Sequence, residues 1–167
     1  MSKRELPPVP EPLPVSAVDS HTHLDACGVR TAEDVRAAMD RAAAAGVGAA
    51  VTVADDIAAA QWAVDAATWD DRVFAAVALH PTRAKDFGDV ERETLEKLAG
   101  HPRVVAVGET GLDYYWDFSP PEPQQEAFRW HIDLAKRVDK PLMIHDRDAH
   151  ADVLRILEEE GAPSVVV

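Results

Sequence analysis

Cysteine is almost missing. Cys27 is the only one in 167 residues, so an internal disulfide is impossible and a reducing cytoplasm is the natural compartment. No apolar run approaches the length of a membrane span, so no membrane partner is expected. Residues 1–14 lack an apolar h-region and do not read as a secretory signal. Basic residues are scarce: 17 Lys and Arg stand against 30 Asp and Glu, a formal net charge of −13. This argues against broad electrostatic capture of nucleic acid, which needs a basic stripe. It leaves a phosphate substrate open, because carboxylates can hold divalent ions that then carry the local positive charge. The runs Glu158-Glu159-Glu160, Asp55-Asp56 and Asp70-Asp71 read as solvated helix ends and loops.

What the chain does have is 47% apolar and 28% charged residues, the balance of a soluble domain with a real core. Proline is concentrated in residues 5–14, which favours an extended arm over residues 1–14 and a folded unit over residues 15–167. A ligand for a proline-reading partner is the alternative for the arm.

From residue 15 the chain alternates short apolar runs with segments of helical spacing. Strands are expected at residues 15–20, 49–53, 73–79, 104–107 and 141–144, with a sixth beginning at 164–167. Helices are expected between them. The first is capped by Thr31 and stopped by Gly46, the second capped by Asp55 or Asp56, the third marked by Val90, Leu95 and Leu98. Pro123 opens the fourth, whose inner face carries Ala127, Phe128, His131, Leu134, Ala135 and Val138; the fifth carries Val153, Leu154, Ile156 and Leu157. The repeat of about 30 residues is the size of a βαβ step. Unbroken apolar strands belong in a parallel sheet covered on both faces.

Polar residues recur where these strands end. His21 and His23 follow the first, and on a strand residues i and i+2 share a face, so two imidazoles can converge on one point. Read alone, His-x-His is equally a surface pair without a ligand. His80 ends the third strand, Glu109 the fourth and His145 the fifth. Four histidines and a glutamate at four strand ends point to a divalent-metal site on the C-terminal face of a (β/α) barrel. His80 can contact a scissile phosphate or simply be a polar strand end. Arg147 can pair with a phosphate or with Asp148. Asp25 and Asp113 can orient ligand histidines, and Asp113 can equally fix its own turn. Tyr114, Tyr115 and Trp116 can stack on unpaired bases or pack over the barrel rim. Trp62, Trp69, Trp130 and Phe128 read as packing residues, His101, His131 and His150 as non-ligands, and Cys27 as a small filler.

Asp19-Ser20-His21-Thr22-His23-Leu24-Asp25, Leu79-His80-Pro81, Val107-Gly108-Glu109-Thr110-Gly111-Leu112-Asp113-Tyr114 and Pro141-Leu142-Met143-Ile144-His145-Asp146-Arg147-Asp148-Ala149 resemble the TatD family of metal-dependent deoxyribonucleases, as does Gln125-Glu126-Ala127-Phe128. The resemblance covers residues 16–167. It implies an α/β fold of the TIM-type (β/α)8 barrel, incomplete here at about five and a half βα units. It also implies two divalent metal ions (Mg²⁺, Mn²⁺ or Zn²⁺). His21 and His23 would hold one, Glu109 would bridge both, and His145 would hold the second. Glu109 and His80 are then the expected catalytic residues, with Arg147 and Tyr114 on the substrate side. The substrate implied is DNA, single-stranded or at 3′ ends, hydrolysed by metal-activated water. The family draws a further histidine from strand six and an aspartate from strand eight, beyond Val167. With about 250 residues typical of the barrel, the chain is expected to be the N-terminal part of a longer protein. Other readings are another amidohydrolase-superfamily hydrolase, a phosphoesterase of the PHP type, and an inactive fragment retaining partial metal affinity.

Overall fold

Five strands form one all-parallel sheet in chain order: β1 (Ala17–Thr22), β2 (Val47–Val53), β3 (Val73–Val77), β4 (Val104–Asp113) and β5 (Leu142–Arg147). Helices α1 (Ala32–Ala44), α2 (Ile57–Trp69), α3 (Asp89–Ala99) and α4 (Pro121–Val138) make the crossovers, and α5 (His150–Glu160) follows β5. This is part of a TIM barrel, five parallel strands curled with their helices outside. The structure, a computed structural model, describes residues 8–167. Of the expected proline-rich arm, residues 1–7 lie outside that range. The rest runs without helix or strand and docks through Leu13, whose N–H donates to the Ala45 carbonyl at 3.0 Å.

Local chemistry sets the helix starts. Thr31 and Asp34 form a reciprocal capping box on α1. Asp56, not Asp55, caps α2, its carboxylate accepting from Ala59 N–H at 2.8 Å. Helix α4 begins at Pro121, two residues earlier than expected, because a proline at the first turn loses no hydrogen bond that the helix would otherwise make. Its inner face is as the spacing predicts, with Phe128, Ile132, Leu134 and Ala135 fully buried. Each large side chain there contributes roughly 2 kcal/mol of burial. Small residues Ala60, Ala63, Ala66 and Ala67 bring α2 close against the sheet. Of the three residues that mark α3, Leu95 and Leu98 are buried and Val90, in its first turn, is 72% exposed.

The sheet departs from expectation at its ends. Strand β1 is mostly exposed rather than covered on both faces, since among the described residues it is an edge paired only with β2. Strand β3 stops at Val77, and Pro81–Asp86 forms a 3₁₀ helix capped by His80. Strands β4 and β5 run further, to Asp113 and Arg147. The expected sixth strand reduces to a single bridge, Leu142 to Val166, flanked by backbone bonds through Val165 and Val167. The sheet's outward residues join the main core with the helices. Val51, Val53, Ala76, Ala106 and Met143 form a second, smaller cluster. Among the described residues no helix is long and apolar enough to cross a membrane.

Candidate metal centre

Two irregularities in the ladder aim the site. Between Asp19 and Thr22 of β1, three steps oppose two on β2, and between Val107 and Thr110 of β4, three oppose two on β5. Each is a bulge, a device that redirects a side chain next to a site. The first holds His21 and the second holds Glu109. Beyond the second bulge Gly111 pairs with His145. Gly111 has φ +134°, and a Cβ there would lie 2.1 Å from the His145 carbonyl oxygen, so only glycine lets β5 come this close.

Glu109 is the centre of the result. Its Oε2 lies 3.3 Å from His21 Nε2 and 3.9 Å from His23 Nε2, and its Oε1 lies 2.9 Å from His145 Nδ1. Ligand atoms of His21, His23 and Glu109 all fall within 4.8 Å of one another, as do those of His80, Glu109 and His145. The two triads share one carboxylate. The rings of His80 and His145 are 4.3 Å apart, and those of His21 and His23 5.2 Å apart.

The imidazoles are oriented differently, and their partners assign their protons. His23 Nδ1–H donates to the Val53 carbonyl at 2.8 Å, which leaves the Nε2 lone pair toward Glu109. His145 donates from both nitrogens, to Glu109 Oε1 and to Asp113 Oδ2, each at 2.9 Å. The Glu109 bond, burial opposing it and the Asp113 bond assisting it, raises the His145 pKa above the ordinary histidine value. His80 is the opposite case. Thr82 N–H donates to its Nδ1 at 3.3 Å and the Thr82 hydroxyl lies at 2.7 Å, so the neutral ring carries its proton on Nε2. Burial, with the neighbouring His145 charge, holds its pKa below the ordinary value. Burial alone would raise Glu109, but the hydrogen bond and charge of His145, with the other histidines around it, outweigh burial and lower its pKa.

The donor set fits divalent ions. A carboxylate with one oxygen among His21 and His23 and the other on His145 has the disposition of a bridging ligand. His23 already has the backbone acceptor on its far nitrogen that fixes a metal-binding tautomer, and Asp113 gives His145 a carboxylate partner of the same kind.

His23, His80, Glu109, Asp113 and His145 line a cleft of about 400 Å³ together with Asp55, Thr82, Trp116, Phe118 and Arg147, and His21 joins them through Glu109 Oε2 at 3.3 Å. All the strand-end residues read from sequence are therefore brought together. Asp113 does both things considered for it, holding His145 with Oδ2 and the Tyr115 and Trp116 amides with Oδ1 at 3.1 and 2.9 Å. Arg147 does not pair with Asp148. Its guanidinium lies 3.8 Å from the Tyr115 ring centre. Tyr114 does not reach the cleft, because its hydroxyl donates to Asp152 at 2.8 Å and accepts from Gln125. Asp25 lies on a different surface pocket beside Arg30 and Trp62. Asp55 was read as a solvated loop acid. It lines the cleft, and its carbonyl accepts from His80 N–H at 3.1 Å. Its place directly after β2 was the available signal.

Residues 18–167 match the family described as TatD related DNase. The chain is similar to the uncharacterized metal-dependent hydrolase TatD of Mycobacterium tuberculosis, with 61% identity over 155 residues covering 90% of this chain and 59% of that protein. It is 42% identical over 147 residues to the uncharacterized metal-dependent hydrolase YabD of Bacillus subtilis, covering 88% of this chain and 57% of that one. The 3′-5′ ssDNA/RNA exonuclease TatD of Escherichia fergusonii is 32% identical over 131 residues, covering 77% and 50%. Among solved structures, the TatD homologue YJJV of Escherichia coli K12 superposes with a TM-score of 0.80 at 32% identity, over 89% of this chain and 57% of that one. The chain thus spans between half and three fifths of the length of these relatives. With the family matched from the first metal-site strand to Val167, the chain belongs to the TatD related DNase family.

Proposed function

We propose that the protein is a metal-dependent nuclease that hydrolyses phosphodiester bonds of single-stranded DNA, with Glu109 bridging two divalent ions. In this reading His21 and His23 hold one ion and His145 the other. The observation that carries it is the sharing of Glu109 between two ligand triads on opposite carboxylate oxygens. Bound divalent ions supply Lewis acidity and bring the pKa of water toward neutrality. The chain's own residues do the rest. Glu109 stays ionised and keeps the two triads in register. Asp113 and the Val53 carbonyl fix which nitrogen of His145 and of His23 is presented. His80, with its proton on Nε2, offers a donor to a phosphate oxygen in the same cleft. The similarity to a 3′-5′ ssDNA/RNA exonuclease supports an unpaired nucleic-acid strand as substrate, acting from a 3′ end.

The test has two readouts. Metal uptake after reconstitution with Mn²⁺ or Zn²⁺ is measured by elemental analysis, and cleavage by release from a labelled single-stranded oligonucleotide. Two ions per chain, reduced in Glu109→Gln together with cleavage, is the expected result. Unchanged cleavage by Glu109→Gln or His23→Ala would overturn the reading. Ion uptake without cleavage would confine these residues to metal binding.

A further inference from the structure

The loop after β4 exposes three large aromatics within four residues: Tyr115 at 54%, Trp116 at 44% and Phe118 at 55%. An apolar cluster of that size in water is costly and calls for an occupant. The Trp116 and Phe118 rings are stacked on each other, 8° apart in plane with centres 5.4 Å apart, so each braces its neighbour and the pair extends as one aromatic stack. Both line the cleft that holds His80, Glu109 and His145. Among the described residues Arg147 is the only arginine or lysine lining that cleft. It lies two residues beyond His145 on β5 and so shares its side of the strand. Although acids outnumber bases 30 to 17, Arg147 makes no carboxylate ion pair within the described residues. Instead its guanidinium lies over Tyr115 at 3.8 Å, with Trp116 at 5.6 Å, an arrangement that fixes the plane and leaves N–H groups to donate.

The aromatic loop is also tied to the metal-site residues through one side chain. Asp113 Oδ1 accepts from the Tyr115 and Trp116 amides while Oδ2 accepts from His145 Nε2. The stacking surface is therefore held in a fixed relation to the site where a phosphate would react.

Resting on the nuclease reading above, we propose that Trp116 and Phe118 form a stacking platform for one unpaired nucleobase next to the scissile phosphate, with Arg147 binding a neighbouring phosphate. The occupant is a nucleobase because a half-exposed stack of flat aromatic rings is extended by another flat ring, and because the adjoining cation matches a phosphodiester. Base–aromatic stacking tolerates any base, and a duplex would have to open to use it. The platform is thus a selector for single strands, DNA or RNA.

The test is equilibrium binding, by fluorescence anisotropy, of the metal-loaded chain to a labelled short oligothymidylate. It is compared with the same oligomer carrying one abasic residue moved along its length, with the matching oligouridylate, and with a blunt duplex. Wild type is expected to lose affinity roughly 10-fold or more at one abasic position. Trp116→Ala and Phe118→Ala should lose it for the intact oligomer and change little for that abasic one, while Trp116→Phe should restore most of the difference. Arg147→Gln should weaken intact and abasic oligomers alike. Similar binding of DNA and RNA would assign recognition to the base, and a preference for one would add a sugar contact to it. Equal affinity of wild type for intact and all abasic oligomers, with cleavage of single strands retained, would overturn the platform and leave the nuclease reading standing. No binding and no cleavage of any oligomer would overturn both. A packing role for Trp116 would show as equal losses on intact and abasic strands, and would also overturn the platform.

Discussion

Gly111 sits opposite His145 in the β4–β5 ladder, at a separation that leaves no room for a side chain. Gly108, one residue before Glu109, is similarly confined, since a Cβ there would meet Met143 Cβ at 2.4 Å. The two glycines flank Glu109, the first inside the bulge and the second just beyond it, and His145 pairs with the second. Gly111→Ala should therefore push β5 outward. Urea unfolding is expected to show a loss of about 3 kcal/mol, with weaker metal uptake. A variant of native stability and native metal affinity would contradict this account of the strand spacing.

Asp113 connects two functions through its two oxygens. Asp113→Asn keeps the volume but supplies only one acceptor oxygen, so His145 or the aromatic loop must lose its partner. Metal affinity is expected to fall about 10- to 100-fold, as for other groups that orient ligand histidines. Isothermal titration with Mn²⁺ or Zn²⁺ measures it.

His131 is fully buried, its Nδ1–H donating to the Ala127 carbonyl at 2.7 Å and its Nε2 accepting from Leu79 N–H at 3.1 Å. Burial pushes its pKa down from 6.5 to about 4. The unfolded chain therefore binds a proton between these values that the folded chain does not. This contribution is full above pH 6.5, declines as pH falls through the window, and is gone near pH 4. The swing is on the order of 3 kcal/mol. Measured by denaturant unfolding, the advantage of wild type over His131→Gln should shrink from pH 7 to pH 4. A constant difference would reject the neutral, buried histidine.

On the proposed two-ion reading, the two positions should separate by mutation. His21→Ala and His23→Ala remove one triad and leave His145, His80 and Glu109, so one ion per chain should remain. His145→Ala should do the converse. Elemental analysis decides between this and an all-or-none site.

Much of this was legible beforehand. The alternation of strand and helix placed His21, His23, His80, Glu109 and His145 on one end of a parallel sheet, and the resemblance carried by Gly108 to Tyr114 named the fold. The bulges were not legible, because a one-residue shift in pairing leaves no compositional trace, and so β4 and β5 were expected to stop early. Asp55 and Asp56 are chemically identical neighbours, and only the geometry shows that the second caps α2 while the first faces the cleft. Tyr114 and Trp116 likewise differ by two positions in a turn whose shape Asp113 sets, and no periodicity tells which ring looks into the site. His131 was recognisable as a non-ligand on the inner face of α4. Its bond to Leu79, 52 residues away, could come only from the folded chain.

Among the described residues strand β1 has a neighbour on one side only, and it carries His21 just before His23. Glu109 lies on β4, between two neighbours. His21 and Glu109 thus rest on supports of unequal stiffness. Within this chain, backbone amides around His21 should exchange with deuterium sooner than those of β4.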